Sequence, residues 1–344
     1  MSNPNENPTR KKYSKRRIFF FLGLAIVLAV VVYFGSQWVV DRFFTQPEVR
    51  GDAALRHALE NRQTINVNGT AYALKNNLTS ILLMGVDKYS DAEPTGSYRN
   101  GGQADFLRLL VIDSNAKKVI QIAIDRDTIT PITILNVFGN SVGTRNERIS
   151  LSHGFGDGKE QSCELTLKAV KNLLFDAPVD FYIAMNMDGI SDLNDLLGGV
   201  TVTLEDDFSS VEPTMTKGKT LTLVGNQAEV FVRSRMSIGI GTNEARMKRQ
   251  ETYLNEAQDL LRKKMGEDKN AVGDLFDGML PYLTTNIARG RLVNEAYAAR
   301  DYDWSEVLTA NGQHAVDSEG FTFFTVDQKS LQDIVLSVFY EKVG

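Results

Sequence analysis

The longest unbroken apolar stretch runs from Ile18 to Val40, IFFFLGLAIVLAVVVYFGSQWVV, with no charge among its 23 residues. As a helix it is long enough to cross a hydrocarbon core with some tilt. No small-residue cleavage site follows a compact apolar core, so the pattern reads as an uncleaved anchor in preference to a signal peptide. Tyr33 and Trp38 suit a membrane interface, and Asp41 and Arg42 end the span. Residues 1–17 are polar and read as a disordered tail. Residues 41–78 are mixed in character, with a helix expected over 51–62, and read as a connector.

Beyond the connector, short apolar runs alternate with helical periodicity. Ser80–Val86 is a continuous apolar run ended by Asp87, and a loop with Pro94, Gly96, Gly101 and Gly102 follows. Phe106–Ile112 and Val119–Ile124, separated by DSNAKK, predict a hairpin of buried strands. Apolar positions predict a helix over Cys163–Leu174, a strand at Phe181–Met185 and a helix at Asp188–Leu197 stopped by Gly198 and Gly199. Val200–Leu204 reads as a short strand. Asn226 is expected to cap a helix whose inner face carries Ala228, Phe231, Val232 and Arg235.

Asn243–Met265 predicts the longest helix in this part of the chain. Its expected core stripe is Met247, Leu254, Ala257, Leu261 and Met265, with Arg246, Arg249, Gln250 and Tyr253 along one flank. Helices at 272–284, 290–299 and 328–341 and a strand at 321–326 complete the pattern. Strands buried on both faces and alternating with helices predict an α/β fold. The expectation is a three-layer α/β/α domain with a mixed central sheet, preceded by one transmembrane helix. Residues 79–265 form its body, and 266–344 read as a helical extension of the same domain.

Charge adds an orientation. The net charge of −5 conceals a basic end: residues 1–40 carry six Lys and Arg against Glu6 alone, which leaves −10 on residues 41–344. The KKYSKRR flank places the N-terminus in the cytoplasm and the folded part outside. So acidic a domain is a poor binder of nucleic acid. A lone cysteine, Cys163, excludes an internal disulfide and a cysteine-based zinc site. Three scattered histidines (His57, His153 and His314) argue against a multi-histidine metal site. Any divalent ion would rest on carboxylate oxygens, as magnesium does.

Within this acidic part, RSRMSIGIGTNEARMKRQ crowds Arg233, Arg235, Arg246 and Arg249. Such a group needs an anionic partner, either internal carboxylates or a bound phosphate. Asp87, Asp105, Asp125, Arg126 and Asp127 fall at the ends of predicted strands. If 81–86 runs parallel to 119–124, they converge at one edge of the sheet, as phosphoryl transfer requires. Alternatively, the aspartates make turns and the arginines staple loops. Spacing leaves both readings open.

Taken in order, these pieces resemble the LytR-CpsA-Psr proteins of Gram-positive cell envelopes over roughly residues 79–265. ILLMGVD resembles the family's opening strand, the stretch around Asp105 its Arg-Ser-Asp-Thr segment, and DRDT at 125–128 its Pro-Arg-Asp. DFYIAMNMDGISDLNDLLGGV, GNQAEVFVRSR and the R-x-x-R-Q of Arg246, Arg249 and Gln250 follow in family order. The resemblance implies a membrane-anchored extracytoplasmic phosphotransferase. Such an enzyme moves a glycopolymer phosphate from a polyprenyl diphosphate carrier to peptidoglycan with the help of magnesium.

By position, the resemblance implies that Asp87 and Asp105 hold the metal and that Arg126, Arg233, Arg235 and Arg246 bind the diphosphate. Arg126, Asp127, Arg249 and Gln250 would form the catalytic shell. Three positions depart from the family pattern: Gln103 replaces an arginine, Asp125 a proline and Ser150 an asparagine. These departures motivate a second reading, a non-catalytic envelope protein that binds polyprenyl phosphates. A DNA-binding regulator is opposed by the acidic domain and by a cytoplasmic tail too short to fold.

Overall fold

A computed structural model describes residues 64–67, 69–87, 101–234, 238–239 and 243–343. The basic tail, the span at 18–40, the helix expected over 51–62 and Arg235 lie outside the described residues. Among the described residues, no helix is long and apolar enough to cross a membrane.

The described part begins with a hairpin of β1 (Thr64–Val67) and β2 (Thr70–Leu74), followed by β3 (Leu78–Asp87), β4 (Gln103–Asp113) and β5 (Lys118–Ala123). A second hairpin, β6 (Ile129–Leu135) and β7 (Ser141–Arg148), leads to a single turn α1 (Leu151–Gly154) and the helix α2 (Glu160–Leu173). Then come β8 (Phe181–Asn186), α3 (Gly189–Leu197), β9 (Thr201–Thr203), β10 (Thr220–Thr222), α4 (Asn226–Arg233) and α5 (Asn243–Glu267). The last part holds α6 (Ala271–Met279), β11 (Leu283–Thr285), α7 (Arg289–Ala299), β12 (Asp303–Thr309), β13 (Gly312–Val316), β14 (Thr322–Val326), α8 (Gln328–Phe339) and β15 (Tyr340–Lys342).

The fold is mixed α/β around a six-stranded sheet of order β11-β8-β3-β4-β5-β12. Its pairings are mixed: β3 runs antiparallel to β4 and β4 to β5, while β8 is parallel to β3 and β12 to β5. Since β3 and β5 are both antiparallel to β4, they run in the same direction, and their C-terminal ends share one edge with the start of β4. Side-chain alternation in β3 serves both faces. Leu82, Met84 and Val86 join a core with Val170 and Leu173 of α2 and Leu331 and Val335 of α8. Ile81 and Leu83 face the other way, with Ala299 and Leu292 of α7. A separate core of Phe208, Leu223, Phe231, Tyr253 and Ala257 binds α3, α4 and α5 together.

Several local expectations are corrected. Gly225, not Asn226, is the N-cap of α4, and no side chain caps it. The expected helix 272–284 ends early because Pro281 cannot continue an α-helical ladder. It passes through a short 3-10 turn at Leu280–Tyr282 and into β11. The stretch 266–344 is not helical alone, since β11 and β12 form both edges of the central sheet. Residues 64–74, within the expected connector, form a hairpin to which β15 adds a third strand. On α5, Met247 is 44% exposed whereas Arg249, Tyr253, Ala257 and Met265 are buried. The inner stripe therefore passes through the expected flank.

Candidate active site

The site begins with a β-bulge. Gly85 opposes Phe106, but Val86 opposes Ala104, so Asp105 is an extra residue on β4. A bulge frees one side chain from the alternation and re-aims it. Just upstream, Gly101 lets the chain enter β4, because a Cβ there would stand 2.4 Å from the His153 carbonyl oxygen.

Arg126, in the turn after β5, places Nη1 2.5 Å from Asp105 Oδ1. Its Nε lies 3.5 Å from Asp127 Oδ1, and its Nη2 donates to Gln103 Oε1 at 3.4 Å. Burial pushes the Asp105 carboxyl above its ordinary range. The nearby charge of Asp87 adds to that shift, and Arg126 and Arg246 oppose it. Two acids and two arginines thus share one local field. At the end of β3, Asp87 Oδ1 lies 3.7 Å from Arg233 Nη2, and Arg233 also pairs with Glu229 one helical turn earlier.

The start of α5 closes the site from above. Arg246 and Gln250, one turn apart, line a cavity of about 1330 Å³ together with Asp105, Arg126 and Asp127. Its apolar wall includes Phe106, Ile124, Val307 and Phe321. Gln250 Nε2 also donates to the Val232 carbonyl at 3.3 Å. Arg249 points the other way. It donates from Nε to the Phe231 carbonyl at 3.1 Å and to the Ser234 carbonyl, and it pairs with Asp206 at 3.2 Å. Those carbonyls belong to the last turn of α4 and the residue after it, where helical acceptors lack backbone partners. Arg249 thereby locks α5 onto the element that carries Arg233.

The structure thus gathers Asp105, Arg126, Asp127, Arg246 and Gln250 around one cavity, sets Asp87 and Arg233 as a pair at the adjacent strand end, and sends Arg249 into the core. The cavity also draws on Arg148, Arg108 and His314, which were not anticipated. Arg148 ends β7, with Nη1 4.0 Å from Asp127 Oδ1 and its guanidinium 5.0 Å from the Phe321 ring centre. Arg108 is buried on β4, where it pairs with Glu251 of α5 and donates to Gln121 Oε1 at 3.3 Å. His314 meets Asp125 at the hairpin of β13 and β14. Only Arg108 had a usable signal, a charge inside the apolar run FLRLLVI.

Among the described residues, no group of three or more His, Cys, Asp and Glu side chains could hold a metal ion. Asp87 and Asp105 supply two hard carboxylates at neighbouring strand ends, beside a cavity lined by arginines. That set fits a magnesium ion completed by substrate phosphate and water, and it does not fit an all-protein cage.

A family model described as the LytR_cpsA_psr family matches residues 44–337. A Bacillus cereus (strain AH820) relative named polyisoprenyl-teichoic acid–peptidoglycan teichoic acid transferase TagU is 23% identical over 323 residues, covering 93% of this chain and 95% of its own. A relative of the same name from Halalkalibacterium halodurans is 31% identical over 156 residues, 45% of this chain and 44% of its own. Among solved structures, the Streptococcus agalactiae protein gbs0355 superposes with a TM-score of 0.61 at 23% identity, covering 76% of this chain and 87% of that one. TagT of Bacillus subtilis gives 0.55 at 20% identity, with 76% and 90% covered. At these identities the structural likeness speaks for the fold.

Proposed function

Because the chain belongs to the LytR-CpsA-Psr family, we propose that it is a phosphotransferase that moves a glycopolymer phosphate from a polyprenyl diphosphate carrier to peptidoglycan. The observation that carries this reading is the convergence of Arg126, Arg246 and Asp105 on one deep cavity. Its volume, about 1330 Å³, exceeds the roughly 300–1,000 Å³ of ordinary small-molecule pockets. A diphosphate head with part of an isoprenoid chain matches both that size and its apolar wall.

In this reading Arg126 and Arg246 neutralise the charge that develops on the diphosphate. Asp105 fixes the Arg126 fork from one side and Gln103 from another. Asp87 and Asp105 would hold magnesium, which when bound acts as a Lewis acid on the diphosphate oxygens. Gln250 and Arg249 orient the start of α5, the first from the cavity and the second from the core.

The replacement at 103 does not favour the non-catalytic reading. Gln103 accepts a hydrogen bond from Arg126, a contact that a second guanidinium could not make. We further propose that residues 18–40 anchor the protein with its folded part outside the membrane. Protection of residues 64–344 from protease added on the cytoplasmic side tests that topology.

The test of function is release of polyprenyl monophosphate by the purified full chain from a synthetic polyprenyl-diphosphate-linked sugar donor, with magnesium and uncrosslinked peptidoglycan strands as acceptor. Wild-type turnover that Arg126→Ala lowers by about 10²-fold or more supports the proposal. A folded wild-type chain that binds the donor and never turns it over sinks it in favour of a binding protein.

A further inference from the structure

Asp125 and His314 pair at the lining of the cavity. Asp125 Oδ1 accepts the Asp127 backbone N–H at 2.8 Å, which fixes its carboxylate. Asp125 Oδ2 lies 2.9 Å from His314 Nε2. The imidazole stands 4.7 Å, centre to centre, from the Phe324 ring across the hairpin. Both Asp125 and His314 line the cavity that holds Arg126.

The pair is not needed to attach the hairpin. The Phe324 backbone N–H donates to the Asp127 carbonyl at 2.8 Å, and Thr128 bridges Phe324 in parallel register. Those main-chain contacts already fix β14, and β13 through it, to the turn that carries Arg126. His314 is therefore held at a set place relative to the phosphate-binding arginine, while its side chain remains 54% exposed. A carboxylate that takes the Nε2 proton selects the tautomer with a lone pair on Nδ1, on the opposite side of the ring. A base oriented by a carboxylate, beside an anion-binding arginine, is the arrangement that activates a hydroxyl nucleophile.

We propose that His314, positioned by Asp125, is the general base for the sugar hydroxyl that accepts the transferred phosphate, an assignment that rests on the phosphotransferase reading. The hydroxyl oxygen bonds to the phosphorus that carries the glycopolymer, and its proton passes to His314 Nδ1. The bond from that phosphorus to the bridging oxygen breaks, and polyprenyl monophosphate leaves with the electron pair. The imidazolium then returns its proton to solvent.

The experiment compares the full-length wild type with His314→Ala, His314→Gln and Asp125→Asn, using a synthetic polyprenyl-diphosphate-linked disaccharide and uncrosslinked peptidoglycan strands. Glutamine can still donate to Asp125 but takes no proton, so it preserves a merely structural contact. The expected result is a fall in kcat of about 10²- to 10⁴-fold in both His314 variants, with donor affinity and Tm near wild type. Asp125→Asn should lower kcat less, and the Asp125→Asn/His314→Gln pair should be no slower than His314→Gln alone. A wild-type kcat in His314→Gln overturns the assignment while leaving the transferase intact. A wild type that transfers nothing overturns the parent reading and this inference with it.

Discussion

Arg126 keeps three partners within reach, Asp105, Asp127 and Gln103, and still faces the cavity. Arg249 is 7% exposed and satisfies the Phe231 and Ser234 carbonyls and Asp206. The two side chains share a charge and a geometry, so the difference in their tasks comes from what surrounds them. Arg126→Ala is expected to lower kcat by about 10²- to 10³-fold with little change in Tm. Arg126→Lys should recover little of that, since a point charge cannot reproduce the planar fork. Arg249→Ala should instead destabilise the fold by about 2–4 kcal/mol, because it strands buried carbonyls and an acid. Urea unfolding separates the cases. If Arg249→Ala unfolds at the wild-type midpoint, its packing role is refuted.

At the scale of elements, the turn between β4 and β5 is stapled by Asp113. Its carboxylate accepts the Ala116 N–H at 2.9 Å, the Asn77 side chain at 2.5 Å and Lys75 Nζ at 3.4 Å. Burial works to raise this carboxyl, but the Ala116 N–H, Lys75 and Asn77 prevail and hold it below its ordinary value. A carboxyl depressed in the folded state contributes stability that is complete above its unfolded pKa and lost as pH falls through the folded one. The wild type should therefore lose stability below about pH 4 more steeply than Asp113→Asn. Denaturation midpoints measured across that window check this, and parallel curves would contradict it. The same turn shows what could be read in advance. DSNAKK between two apolar runs predicts a hairpin, and Asp113 does pair with Lys118 in register. By contrast β13 is exposed at every position, so no alternation marks it as a strand. The meeting of His314 with Asp125 joins residues 189 positions apart, which no local pattern can report. The convergence of Asp87 and Asp105 was legible because strand ends announce themselves. The inward turn of Arg249 was not, because a charged residue on a buried stripe depends on carbonyls supplied by another helix.

Across the whole molecule, residues 303–344 belong to both the fold and the site. β12 pairs in parallel with β5 and closes one edge of the central sheet. Phe324, Val326, Leu331, Val335, Val338 and Phe339 are buried in the main core with Leu82 and Leu109. Lys75 Nζ donates to the Val338 carbonyl at 2.9 Å, tying the end of α8 back to the first hairpin. Removing residues 303–344 would expose the β5 edge to other chains and take those six apolar side chains out of the main core. At about 1.5–3 kcal/mol for each buried side chain, the loss is comparable with the roughly 5–15 kcal/mol net stability of a typical domain. A chain ending at Tyr302 should therefore aggregate or lack a cooperative unfolding transition, even though it retains every arginine assigned to the diphosphate and both aspartates assigned to the metal. Calorimetry and light scattering on that shortened chain decide the matter. A soluble product with one sharp transition would show that the C-terminal segment is an accessory layer. Aggregation would show that the cavity owes its far wall and its stability to the same stretch of chain.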